Sequence, residues 1–363
     1  MYKPLSYAGV QKIASAYFTE RQSKTHPQEH PTIALVGGQP GAGKSAVSVV
    51  IRSEFHSKGG FIHVDADRMR ERIRTGDRQL ASEETQADAG RLVTELRRLA
   101  IQNRRNIIEE GTFRNAGSAV KFLRGLQEQG YNVEFFAVTT SREESLLGIF
   151  QRHELQHAAG AHNPRFVAES YHDNAMHGFD TTVATAATYV DRVRVINRAG
   201  EVLYDSNAQH NSQANALEAL VAGRKVTDAQ LIEIGKAWMA VEAAATERGA
   251  PSEYLDSIAN HCERIDNIKK ERIHEHAMRQ LEANAAVLAQ DLRYIEHSNS
   301  ELTKASYFRG FHEKASEFKG ISPDFATYDK TVAIRATLRQ LPDVADIQDN
   351  SVQRSRVQDG HSL

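Results

Sequence analysis

Cysteine is nearly missing: Cys262 is the single one in 363 residues. One thiol excludes an internal disulfide framework and any thiolate metal cluster. Tryptophan is also single, and with 8 prolines and 23 glycines the chain is neither a proline-rich linker protein nor a collagen-like fibre. No apolar run approaches the ~20 residues that cross a bilayer. The start Met1-Tyr2-Lys3-Pro4 lacks the apolar core of a secretory signal. No membrane partner is expected, and the cytoplasm is the expected location. An excess of one charge is lacking too. With 45 basic and 47 acidic residues the net charge is -2, so no global positive field gathers nucleic acid, and none is expected as a partner. What is present, 40% hydrophobic and 25% charged residues, describes a folded protein long enough for two domains.

Residues 1–31 hold one helix candidate, Tyr7 to Arg21, whose apolar stripe is Val10, Ile13, Ala14, Tyr17 and Phe18. From Thr32 the pattern changes to short β-type runs at Thr32–Val36, Phe61–Val64, Asn106–Ile108, Val133–Thr139 and Arg192–Ile196. Helical spans at 45–57, 82–103, 115–128 and 142–157 separate them. Such alternation predicts an α/β fold, a parallel sheet with helices on both faces, over residues 32–206. The turn Asn197-Arg198-Ala199-Gly200 predicts a closing hairpin. A polar stretch from Asp205 to Ser212 reads as a linker. Beyond it residues 207–350 read as an α-helical domain, broken at Gly249-Ala250-Pro251-Ser252, and 351–363 as a flexible tail.

Gly38-Gln39-Pro40-Gly41-Ala42-Gly43-Lys44-Ser45 matches G-x-x-x-x-G-K-[ST] at every fixed position. Glycines let successive N–H groups turn inward around a phosphate, and the helix that follows adds its positive end. Lys44 is placed to reach the β and γ oxygens of a nucleotide, and the Ser45 hydroxyl to take one Mg²⁺ position. The strand Ile33-Ala34-Leu35-Val36 before the loop and the helical segment after it supply the required frame.

In an open parallel sheet, ligands bind beyond the carboxyl ends of the strands. Asp65 and Asp67 follow Phe61-Ile62-His63-Val64 there. Either is placed to accept a substrate proton or to orient Mg²⁺, although Asp67 also suits the cap of a helix starting near Met69. The third strand ends Ile108-Glu109-Glu110-Gly111-Thr112. Neighbouring side chains on a strand face opposite ways, so one of Glu109 and Glu110 points into the site, and the spacing leaves both open. Arg152 on a helix, and Arg165 after Asn163-Pro164, are candidates to neutralise a phosphoryl group.

Together, the loop Gly38 to Ser45, the Asp65-Ala66-Asp67 strand end, Ile108 to Thr112, Leu147 to Glu154 and Arg165 resemble the zeta toxin family over about residues 30–205. These are P-loop kinases that phosphorylate the 3′-hydroxyl of UDP-N-acetylglucosamine and so block cell-wall precursor synthesis. The resemblance implies ATP and Mg²⁺ as cofactors and a nucleotide-sugar as acceptor. Lys44 and Ser45 would be the phosphate and Mg²⁺ residues, Asp67 the catalytic base, Glu110 and Thr112 the amino-sugar contacts, and Arg152 and Arg165 the phosphate clamps. The family's acidic or polar position before the third strand has two candidates here, Thr94 and Glu95. Family kinases also act on other nucleotides such as NAD. A non-catalytic ATP-gated binding protein is the rival outside enzymology. The family's helical antitoxin covers the ATP site. A separate antitoxin, or a cis-inhibitory segment at 7–21 or in the C-terminal helices, is therefore a candidate partner.

His153-Glu154-Leu155-Gln156-His157 also fits H-E-x-x-H, the zinc motif of metalloproteases, with His162 as a conceivable third ligand. Zinc hydrolysis is the remote alternative, because the same segment already fits a kinase. The mixed charges around Ile268-Lys269-Lys270-Glu271-Arg272 read as a solvated helix face, and Trp238 as core.

Overall fold

The apolar alternation does build a sheet. The structure, a computed structural model, describes residues 2–73, 82–161 and 164–297. Helix α1 (Tyr7–Gln22) leads to β1 (Thr32–Gly37), α2 (Lys44–His56), β2 (Ile62–Val64), α3 (Ala66–Arg70) and α4 (Ser82–Gln102). Then come β3 (Ile107–Gly111), α5 (Ala116–Glu128), β4 (Asn132–Thr139), α6 (Arg142–Ala158), α7 (Glu169–Ala186), β5 (Arg192–Asn197) and β6 (Val202–Asp205). The six strands lie in the order β2-β3-β1-β4-β5-β6. All neighbours are parallel except β6, which returns antiparallel on β5 as the expected hairpin.

Period-two alternation divides the core. Ile33, Leu35, Ile107, Val133 and Phe135 face one side of the sheet, with buried residues of α1, α4, α5 and α7. Ala34, Val36, Ile108, Phe136 and Val138 face the other, against Val47, Ile51 and Phe55 of α2. β1 and β4 are thus buried on both faces, which explains their continuous apolar runs. β1 is central, with β3 and β4 beside it, so the loop after β1 opens at the carboxyl edge where ligands of such sheets bind.

Three elements differ from the sequence expectation. α3 starts at Ala66 and its cap is Asp65, whose Oδ1 accepts from the Asp67 N–H at 2.9 Å; Asp67 lies in the first turn and does not cap a helix near Met69. β3 runs on to Gly111 because β2 pairs with it as far as Glu109 and β1 as far as Gly111. α7 fills a stretch with no clear pattern. Its buried positions include His172, Ala175, Thr182 and Ala186, too small or too polar to announce a helix.

α8 (Ala216–Ala222) and α9 (Asp228–Glu247) follow, and α10 (Ser252–His297) starts at the expected break. The packing does not part near residue 206. The first compact unit runs Met1–Asp266, and the second begins at Asn267. Ala216, Ala219 and Leu220 of α8 enter the sheet's core, and the Thr139 hydroxyl on β4 donates to the Leu220 carbonyl at 2.7 Å. The expected tail 351–363, the part of 207–350 beyond 297, and His162 lie outside the described residues.

Candidate active site

A cleft of about 370 Å³ opens at the carboxyl edge of β1, β2 and β3. Its lining includes Pro40, Gly41, Gly43, Lys44, Ser45, Asp67, Glu110, Thr112, Arg152 and Arg165. Three strand ends, helix α6 and the distant loop that carries Arg165 therefore converge on one space. Gly38, Gln39 and Ala42 are not among its lining residues. Gln39 and Ala42 are fully buried, and the Gln39 amide donates to the Thr140 carbonyl at 2.9 Å and the Ser145 hydroxyl at 3.3 Å. Their side chains hold the loop from behind.

The loop's shape depends on close approach to α6. A Cβ on Gly41, whose φ is +76°, would lie 1.9 Å from the Ser145 carbonyl oxygen. On Gly148 it would lie 2.8 Å from the Gly41 oxygen. Behind the loop Ser145 Oγ is 2.7 Å from His172 Nε2, and His172 Nδ1 is 2.9 Å from Asp173. This line has the order of a hydrolase triad, but Ser145 is completely buried and no substrate reaches it. Its hydroxyl supports Gln39.

Lys44 Nζ donates to the Gly38 and Gln39 carbonyls at 2.9 and 3.0 Å. Burial lowers its pKa to about 8; Arg165 and Arg152 push the same way, against Glu110 and Asp67. Ser45 donates to Glu110 Oε2 at 3.1 Å, and His63 Nε2 is 3.1 Å from Oε1. Burial would raise the Glu110 carboxyl, but the hydrogen bond and charge of His63, aided by Ser45, hold it down at about 2. Burial raises the Asp65 carboxyl, and Glu110 and Asp67 add to it. The strand therefore decides between the two glutamates. Glu110 faces the cleft, whereas Glu109 is clasped by Arg97 of α4 at 2.7 and 2.6 Å. Thr94 and Glu95 do not join the cleft lining: Thr94 donates to the Gly90 carbonyl and Glu95 pairs with Arg98.

Across the cleft Asp67 is ion-paired with both Arg70 and Arg165. Arg152 differs. Its Nε and one terminal nitrogen are buried without a hydrogen-bond partner. Burial, then the charge of Arg165, lowers its pKa to about 10. A guanidinium held dry among cations fits an absent anion.

For a divalent cation the donors also fit. Ligand atoms of His63, Asp65 and Glu110 lie within 4.8 Å of one another, and Ser45 touches Glu110. Two carboxylates and a hydroxyl are the hard oxygen set that Mg²⁺ takes. The H-E-x-x-H segment does not do this. His153 and His157 are 3.2 Å apart, but Glu154 is occupied by Arg248 at 2.7 and 2.9 Å and cannot activate water.

Sequence reasoning missed Gln86, Gly148, Tyr171 and Arg198, all of which line the cleft. His63 had a signal: it sits two residues before Asp65, on the same face of a strand. Arg198, on the β5–β6 turn, reaches the cleft only through the fold and had none. Neither α1 nor the described residues of α9 and α10 line the cleft. α1 is instead packed into the core through Val10, Ala14, Tyr17 and Phe18.

With this geometry in place the comparisons are direct. The zeta toxin family model matches residues 15–209, more than half of the chain. The chain belongs to the zeta toxin family. Toxin PezT of Streptococcus pneumoniae serotype 4 is 25% identical over 217 residues, 57% of this chain and 85% of that protein. Toxin zeta of Enterococcus hirae is 26% identical over 188 residues, 49% of this chain and 64% of that protein. A solved structure from the PezAT chromosomal toxin–antitoxin system of S. pneumoniae superposes with a TM-score of 0.56 at 19% identity. It covers 68% of this chain and 98% of that one. That likeness shows the fold; what this zeta toxin family member does with its cleft rests on the residues above.

Proposed function

We propose that this protein is an ATP- and Mg²⁺-dependent phosphotransferase that moves the γ-phosphoryl group to a hydroxyl of a nucleotide-sugar, the 3′-hydroxyl of UDP-N-acetylglucosamine. One observation carries the reading. Lys44 and Asp67 line a single cleft, and Arg152, which lines it too, presents unpartnered, buried N–H groups. Such a site suits a phosphate bordered by a proton acceptor.

Lys44 would release the Gly38 and Gln39 carbonyls and take the phosphate oxygens. Arg165 now rests on Asp67. A γ-phosphate draws Arg165 towards itself beside Arg152, which frees one Asp67 oxygen to accept the proton of the attacking hydroxyl. Mg²⁺, when bound, would neutralise charge on the transferred phosphoryl group. Ser45, Glu110 and Asp65 would hold it. The Ser45–Glu110 contact favours a metal-side role for Glu110 besides its expected place with Thr112 at the sugar. An antitoxin covering this cleft remains the proposed partner.

The test is to incubate purified protein with ATP, Mg²⁺ and UDP-N-acetylglucosamine and to look for a phosphorylated sugar nucleotide by mass spectrometry. A product that vanishes in Asp67→Asn, with the fold intact, is expected. A product on NAD instead would keep the reaction and change the acceptor. ATP binding with no phosphorylated product at all would overturn the enzyme.

A further inference from the structure

A second cavity, of about 200 Å³, lies outside the cleft at the sheet edge. Arg21 from the last turn of α1, Lys24 from the turn after it, Arg52 and His56 from α2, Arg68 from α3, and the ring of Phe61 before β2 form its walls. Tyr17, Gly60 and His63 complete them, and no carboxylate lines it.

Three separate elements bring four permanent cations to one small space. The chain is close to neutral overall, so this is not a reflection of composition. Like charges this close repel, and the cluster costs stability unless an anion balances it. Nearby carboxylates do so only in part. Arg52 is 3.8 Å from Glu110, Arg68 is 3.8 Å from Asp65, and Arg21 is 3.8 Å from Glu20, all longer than a hydrogen bond. The Nε groups of Arg21 and Arg52 are buried with no partner. The positive end groups at the α1 C-terminus also suit its helix dipole, but that accounts for neither Arg52 nor Arg68. The rings of Phe61 and His56 meet edge to face at 5.4 Å and form an apolar wall beside the cations.

We infer that this pocket is a binding site for an organic phosphate, its phosphate among Arg21, Lys24, Arg52 and Arg68 and its ring portion against Phe61 and His56. The volume is below the ~300–1,000 Å³ of usual small-molecule pockets, so it takes a phosphate and part of its ester, not a whole dinucleotide. Arg52 and His63 both face Glu110, so occupation is felt at the residue that holds Ser45. Two sources share this chemistry: the diphosphate of the acceptor nucleotide-sugar, or a separate nucleotide acting as effector.

Calorimetry reads the site directly. UDP is titrated into the full-length protein with its phosphate loop saturated by a non-hydrolysable ATP analogue. Saturable binding is expected, weakened about ten-fold or more in the double variant Arg21→Gln/Lys24→Gln through loss of two charged contacts. Affinity for the ATP analogue should be unchanged. Lys24→Glu, at an exposed position, repeats the test without disturbing α1 packing. If KM for the nucleotide-sugar rises in step, the pocket holds the acceptor's diphosphate; if it does not move, the ligand is a separate nucleotide. Equal UDP affinity in wild type and both variants, or no UDP binding to wild type, would overturn the site. A protein without kinase activity would still give this binding result, so the two readings fail separately.

Discussion

Lys44 makes the cost of function visible in one side chain. Burial among Arg152 and Arg165 brings its pKa to about 8, from 10.5 in an exposed chain. Between those values the unfolded chain holds a proton that the folded one has released, so this group's contribution to stability grows as pH rises through that window. Phosphate binding runs the opposite way, because the charge is present below about 8 and lost above it. kcat/KM for ATP should therefore fall as pH passes 8. kcat should hold to higher pH, since bound phosphate favours the charged form. A flat kcat/KM profile to pH 10 would contradict this. Arg152 makes the same point about stability. Removing a buried cation that has no partner is expected to leave Tm unchanged or raised in Arg152→Met, while activity drops by ~100-fold or more. A large loss of Tm by calorimetry would mean that Arg152 has a structural partner after all.

At the scale of elements, α6 does two jobs. Its Gly148 lets it press against the phosphate loop, so Gly148→Ala, with a Cβ 2.8 Å from the Gly41 oxygen, should displace the loop. Weaker ATP-analogue binding with little change in Tm is the expected readout. Two residues further on, and so turned away from Gly148, α6 carries Phe150, the centre of a ring cluster. Phe166, Trp238, Tyr254 and His261 all lie within 5.0–5.3 Å of it. Phe166 is the neighbour of Arg165, and Tyr254 packs on Phe166 at 5.6 Å. The helices after the sheet thus brace the loop that delivers Arg165 without entering the cleft. Tyr254→Ala should lower kcat by ~10-fold or more with KM for ATP nearly unchanged, because an ill-placed arginine costs most in the transition state. Counting ATP-analogue binding sites per chain by calorimetry separates this from general unfolding, which would lower that number, whereas a misplaced arginine leaves it unchanged.

For the whole molecule the question is where the folding unit ends. Leu220 is in the sheet's core and Trp238, only 1% exposed, closes over Phe150. A chain stopped at residue 206 would bare both surfaces, and it should fold poorly or aggregate, whereas one stopped at 266 should melt cooperatively. Trp238→Ala in the full chain should cost ~3–5 kcal/mol in denaturant unfolding. Much of this architecture was legible beforehand. The runs ending at Val36, Val64 and Thr139 are buried on both faces and so carry an unbroken apolar signal, and the phosphate loop has a fixed spacing imposed by the size of a phosphate. α7 was not legible, since Ala175, Thr182 and Ala186 earn their burial from neighbours rather than from hydrophobicity.

Sequence by itself determined the P-loop frame, the carboxylates at the strand ends and the family. Backbone geometry around a phosphate and the alternation of a buried strand are local, and local rules are written in consecutive residues. Only the tertiary structure decided that Glu110 and not Glu109 enters the cleft, that Arg165 meets Asp67, that Glu154 is spent on Arg248, and that Arg21, Arg52 and Arg68 share a pocket. Each of those depends on which helix a side chain meets across the sheet, and that partner is far away along the chain.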